Sequence, residues 1–144
     1  MAGLRSFSFA LMFTAFFAGC SMESLERQGV LSYNNIDETS LSHIKQAGML
    51  ADGETANVYY DTTISLDGTE SYLLTDKRVL HQKKGKVTAM NYSDVKDIQH
   101  KTVTLEGDVI TVSDGKSKLV MTIAPLNGGD VFLKELKEKV AAQK

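Results

Sequence analysis

The chain of 144 residues has no tryptophan, one cysteine and one proline. A lone cysteine excludes an internal disulfide, so the fold must be held by its apolar core. The three histidines, His43, His81 and His100, fall in different segments at no ligand spacing. No H-E-x-x-H, C-x-x-C or EF-hand series is present, which leaves metal chemistry without a motif. No serine sits in a G-x-S-x-G elbow. Neither charge sign dominates: 16 basic and 18 acidic residues give a net charge of −2. That balance excludes a nucleic-acid binder by bulk charge. The apolar run over 7–17 is too short to cross a hydrocarbon core, which takes ~20 helical residues.

That run has another use. Arg5 precedes it, and the small residues Ala18 and Gly19 follow it. A positive start, an apolar middle and a small-residue end are the three parts of a secretory leader. Phe17-Ala18-Gly19-Cys20 resembles the bacterial lipobox, with Phe17 where that family usually carries Leu. The resemblance implies cleavage after residue 19 and acylation of Cys20. Two or more acyl chains anchor a protein stably where one does not. An ordinary leader cut near Ala18 or Gly19 would leave a free thiol instead. The residue after the cysteine is Ser21, not Asp. By the same resemblance, that points to the outer membrane facing the periplasm.

Removing residues 1–19 from 144 leaves 125, with 15 basic and 18 acidic side chains. This is one domain, long enough for a single core. Residues 20–39 read as a lipidated cysteine and a polar tether. About 19 flexible residues reach ~20–25 Å. The domain proper is expected over 40–144. A short helix over 40–48 opens it, capped by Thr39 or Ser40, with Leu41, Ile44 and Ala47 at helical spacing and Gly48 at its end. Strands are expected at 54–60, 70–75, 78–83, 86–92, 101–105, 109–113 and 116–124, split by Asp67-Gly68, Asp76-Lys77, Lys84-Gly85, Glu106-Gly107-Asp108 and Asp114-Gly115. Residues 93–98 read as helical or irregular. In the fifth run, Lys101, Val103 and Leu105 share one face. In the last run, Leu119, Met121 and Ile123 share one face. Pro125 stops that strand, since it has no ladder donor. From about Val131 to Ala142 an amphipathic helix carries Phe132, Leu133, Leu136 and Val140 on one stripe. The fold class is therefore mainly β. About seven antiparallel strands roll into a barrel-like sandwich, closed by a C-terminal helix.

Three segments resemble bacterial pleckstrin-homology-like domains: Leu50-Ala51-Asp52-Gly53-Glu54, Tyr72 to Leu80 around Thr75-Asp76-Lys77-Arg78, and Met90 to Ile98 around Tyr92-Ser93-Asp94-Val95. The likeness covers 50–142. It implies a scaffold used far more for binding than for catalysis, and fold alone does not fix function. Each motif has a scaffold role in view. Thr75 and Asp76 suit a tight turn. Arg78 is placed to pair with Asp76 or Asp94. Tyr92, Val95 and Ile98 would seat a connection on the core.

Two groups are candidate binding residues. Lys77, Arg78, Lys83, Lys84 and Lys86 surround one hairpin and would meet an anionic surface if they share a rim. The same charges would also blunt edge pairing. Tyr59 and Tyr60 lie on the first strand and would accept a partner strand if that strand is an edge. Asp94 and Asp97 read as loop and cap residues. Together these observations imply a lipid-anchored envelope protein, without catalysis or cofactor, that binds a protein or peptide partner or an envelope surface. A structural assembly factor without a ligand is the second reading, and a periplasmic enzyme a distant third.

Overall fold

The structure, a computed structural model, describes residues 29–144. The leader, Cys20 and residues 21–28 of the expected tether lie outside the described residues. Glycine and aspartate punctuate alternating apolar runs, and the chain folds between them into short strands. In order these are β1 (Leu31–Ser32), a 3-10 turn (Tyr33–Asn35), α1 (Glu38–Gln46), β2 (Ala56–Asp61), β3 (Glu70–Thr75), β4 (Arg78–Lys83) and β5 (Lys86–Asn91). A second 3-10 turn (Tyr92–Asp94) leads to β6 (Asp97–Val103), β7 (Gly107–Ser113), β8 (Lys118–Ile123) and α2 (Gly129–Ala141). Strands β1–β5 form one antiparallel sheet in that order, and β6–β8 form another. The seven strands expected from the sequence are β2–β8, and β1 is additional.

The centre of the first sheet is buried on both faces. In β3, Ser71, Tyr72, Leu73, Leu74 and Thr75 are all buried. Tyr72 and Leu74 face the main core with Val58, Tyr60 and Val79. Leu73 points the other way, with Tyr59 and Leu80, onto Ile44 and Met49. Helix α1 thus covers the outer face of the sheet. A strand buried on both faces reads as a continuous apolar run, as Tyr72-Leu73-Leu74 does. The main core also takes Ile110, Val112, Leu119, Met121 and Ile123 from the second sheet, and Phe132, Leu136 and Val140 from α2. Full burial of each such side chain stabilises by about 1.5–3 kcal/mol.

Tyrosine hydroxyls tie the sheets together. The Tyr72 hydroxyl accepts from the Thr122 amide at 3.1 Å, and that of Tyr60 from the Ala124 amide at 3.2 Å. These amides lie along and just past β8, an edge strand, so the phenols occupy donors that would otherwise invite a further strand. Gly129 opens α2 against the Asp108 side chain, where a Cβ has no room.

Four local expectations are corrected. Residues 29–39 are not free tether: Leu31 pairs with Tyr59 and Ser32 with Val58 in β1–β2. The cap of α1 is Asp37, not Thr39 or Ser40; its carboxylate accepts from the Ser40 amide at 2.7 Å. That shift starts the helix two residues earlier and ends it at Gln46. Strand β6 begins at Asp97, because its pairing with β7 runs from Asp97–Ser113 to Val103–Gly107. Its residues are mostly polar and exposed, which hides the strand from an apolar pattern. Leu105 does not share a face with Val103. It sits in the turn at φ +72° and is 91% exposed.

Candidate functional site

The motif residues form a clasp at the β3–β4 turn. Glu54 lies on the approach to β2, with a side chain only 2% exposed. Arg78 opens β4 and donates to it twice, Nε to Oε1 and Nη2 to Oε2, each at 2.8 Å. Such a two-point ion pair fixes orientation as well as charge. The Ala51 amide donates to Glu54 at 2.7 Å and the Thr75 hydroxyl at 3.1 Å. Bonding from Arg78 holds the Glu54 carboxyl below the ordinary 4.5, against the opposing pull of burial. The Thr75 hydroxyl in turn accepts from the Lys77 and Arg78 amides. The buried Tyr92 hydroxyl donates to the Thr75 carbonyl at 2.8 Å. Arg78 therefore pairs with Glu54, not with Asp76 or Asp94. Asp76 accepts from the Thr55 amide, and Asp94 from the Asn91 side chain. Every group in the clasp is spent on holding the turn.

The five basic residues do not share a rim. Lys77 and Arg78 lie at one end of β4, and Lys83, Lys84 and Lys86 at the other. Six strand residues at ~3.3 Å each separate the groups by about 20 Å. Lys83 is held by Glu70 at 3.0 Å. Burial raises the Glu70 carboxyl, but its bonds to Lys83 and His81 outweigh this and lower it. Lys84 and Lys86 are exposed and unpaired with any carboxylate among the described residues. Lys84 flanks an open basin of about 250 Å³ lined by His43, Asp67, Thr69 and Gln82.

Tyr59 and Tyr60 are both buried, at 1% and 3% exposure. Strand β2 lies between β1 and β3, so it is not an edge strand; β1 and β5 are. Tyr60 packs in the main core and Tyr59 under α1. Burial pushes the Tyr59 phenol up to about 12. Its side chain borders a cavity of about 20 Å³ with Asp37, Ser40, His43 and Asp61.

The remaining candidates are local. His81 approaches Glu70 at 3.2 Å and packs edge-on against Tyr72. His100 Nε2 lies 2.7 Å from Asp108 Oδ1. Asp97 accepts from the Gln99 side chain, away from Asp94. Among the described residues, no three His, Cys, Asp or Glu side chains are grouped as a metal site.

A further concavity among the described residues was not singled out from the sequence. It is an open groove of about 420 Å³ lined by Tyr33, Ile36, Leu41, Leu50, Thr55 and Ala56, with Glu54 at one side. Tyr33 stands on it 60% exposed. The groove exists because the segment before α1 folds back on β2 and leaves its apolar side chains beside those of α1. The available signal was Tyr33 and Ile36, two apolar residues within an otherwise polar stretch.

Comparison with known proteins agrees with this architecture. The crystal structure of a DUF1696 family protein with a pleckstrin-homology domain, from Shewanella loihica PV-4, superposes with a TM-score of 0.50 at 13% identity, covering 79% of this chain and 96% of that one. At that identity the likeness concerns the fold alone. A search of curated proteins finds no match. The family model described as bacterial PH domain matches residues 50–128, which takes in β2–β8 and the motif clasp and stops at the start of α2. The chain belongs to the bacterial PH domain family.

Proposed function

We propose that this chain is a cell-envelope lipoprotein, anchored through Cys20, whose PH-like domain is a non-catalytic binding module for an apolar peptide segment of another envelope protein. The groove between Tyr33, Leu41 and Leu50 carries this reading. Its walls are apolar, and its nearest charge, Glu54, is already neutralised by Arg78. Such a surface favours an uncharged aliphatic or aromatic segment over an ionic ligand, since an unmatched charge would be costly to desolvate. The lipobox-like residues support the anchor. Ser21 favours the outer membrane facing the periplasm.

Photocrosslinking tests the reading. A photoreactive side chain at Leu41 or Leu50 in the full chain, expressed in intact cells, should give one discrete protein adduct. The same group at exposed Lys116 should not. Loss of that adduct in a Tyr33→Ala variant would tie it to the groove. Equal labelling from all three positions would defeat the groove as the binding site.

A further inference from the structure

Three aliphatic side chains project from the fold almost without contact. Ile64 is 94% exposed, Leu105 91% and Leu126 fully so. Each sits in a different connection: β2–β3, β6–β7 and β8–α2. A single exposed leucine is ordinary on a protein surface. These three are distinguished by their placement, and Leu105 and Leu126 also by their backbone.

They occupy one end of the molecule. The Tyr60 hydroxyl accepts from the Ala124 amide and from the Asn127 side chain. A basin of about 210 Å³ is lined by Thr62, Thr63, Ile64, Ala124 and Asn127, so the first loop lies beside the third. Val103 pairs with Gly107 and Asp108 with Ile123, which brings the β6–β7 turn beside residues 124–126. Gly107 lies directly against the Ile123–Pro125 backbone.

The backbone adds a second observation. Leu105 has φ +72° and Leu126 φ +68°. Gly, Asn or Asp takes that left-handed conformation at lower cost than Leu. Neither leucine returns the cost through packing, because neither is buried. Their side chains are therefore not explained by folding.

The third observation is where the chain leaves the domain. The Val30 amide donates to the Asn127 carbonyl at 2.8 Å, next to Leu126. Residues 21–29 separate this point from Cys20. Fully extended, that span is at most ~36 Å.

We infer that Ile64, Leu105 and Leu126 dip into the apolar interface of the lipid bilayer and fix the orientation of the domain on the membrane. The inference rests on the Cys20 anchor proposed above, which brings this end to the surface. Exposed Glu106 and Asp130 flank the tips, so insertion is driven by apolar burial and not by attraction to anionic headgroups. The aliphatic tips supply attachment points beside the acyl chains. The groove partner then meets a domain held in one attitude.

The chain has no tryptophan, so single substitutions report cleanly. I64W, L105W and L126W are purified as the full chain from membranes and reconstituted into phosphatidylcholine–phosphatidylglycerol vesicles with brominated acyl chains. K116W is the control, in the β7–β8 turn at the opposite end of β7. The three tip variants should show blue-shifted emission and several-fold stronger bromine quenching than K116W. If the protein floats with the vesicles but the tips quench no more than K116W, the orientation is overturned while the anchor stands. Blue-shifted emission without bromine quenching means that protein covers the tips, which also overturns the inference. A chain that neither floats nor carries acyl groups overturns the anchor, and the orientation with it.

Discussion

Glu54 shows how much of the family motif is structural. Its buried carboxylate receives Arg78, Thr75 and the Ala51 amide. Glu54→Gln leaves the guanidinium without its charge partner and should lower unfolding stability by about 1.5–3 kcal/mol, read by urea denaturation. The pH dependence has a definite sign. Because the native carboxyl is held below 4.5, its contribution is complete above pH 4.5 and is lost as the pH falls through the lowered native value. Stability of the parent should therefore drop on acidification below pH 4.5, and E54Q should lose part of that drop. Asp108, lowered mainly by its bond to His100, acts in the same direction. Leu126 makes the opposite case. L126G removes an exposed side chain from a left-handed position and should raise stability in water by about 1 kcal/mol, with a higher melting temperature as the readout. The sequence motif pointed to Arg78 and Thr75 as scaffold residues. It did not identify Glu54 as the partner, because the two are 24 positions apart and Asp76 and Asp94 are nearer in sequence. Nor did it show Leu105 and Leu126 at positive φ, since left-handed positions are read from Gly and Asn and these are leucines.

Helix α1 is the element that turns a one-faced sheet into a two-faced one. Ile44 and Met49 are fully buried against Tyr59, Leu73 and Leu80. Ile44→Ala should cost about 2–5 kcal/mol, the range for large-to-small changes in a core. Asp37→Ala removes the cap and should cost about 1 kcal/mol. Circular dichroism melts of the two variants separate them: the core change should lower the whole transition by several degrees more than the cap change. The helix was legible from Leu41, Ile44 and Ala47, as was its glycine end. Its role as a cover was legible only in part. The run Tyr72-Leu73-Leu74 has no polar alternation, which means burial on both faces, but nothing local says what lies on the second face. Strands β3 and β4 were readable to the residue because Asp76-Lys77 and Lys84-Gly85 bound them. Strand β6 was not, because its side chains are polar and its limits are set by pairing with β7.

At the scale of the molecule, order along the chain carried the fold. Short strands with tight turns, then one amphipathic helix, leave a rolled antiparallel sheet closed by that helix as the compact solution. What the order did not carry is which loops meet in space. The five basic residues are neighbours in sequence yet lie at two ends of β4, whereas Tyr33, Leu41 and Leu50 converge from three separate segments into one groove. Sites built across elements leave no local pattern. The tips Ile64, Leu105 and Leu126 are of the same kind. Function then depends on where this module is held. Mass spectrometry of the N-terminal peptide of the protein purified from its own membranes tests this directly. The account predicts a peptide beginning at Cys20 with its mass raised by a diacylglyceryl group and a further acyl chain. An N-terminus at Ser21, an unmodified Cys20 thiol, or a chain retaining residues 1–19 would contradict it.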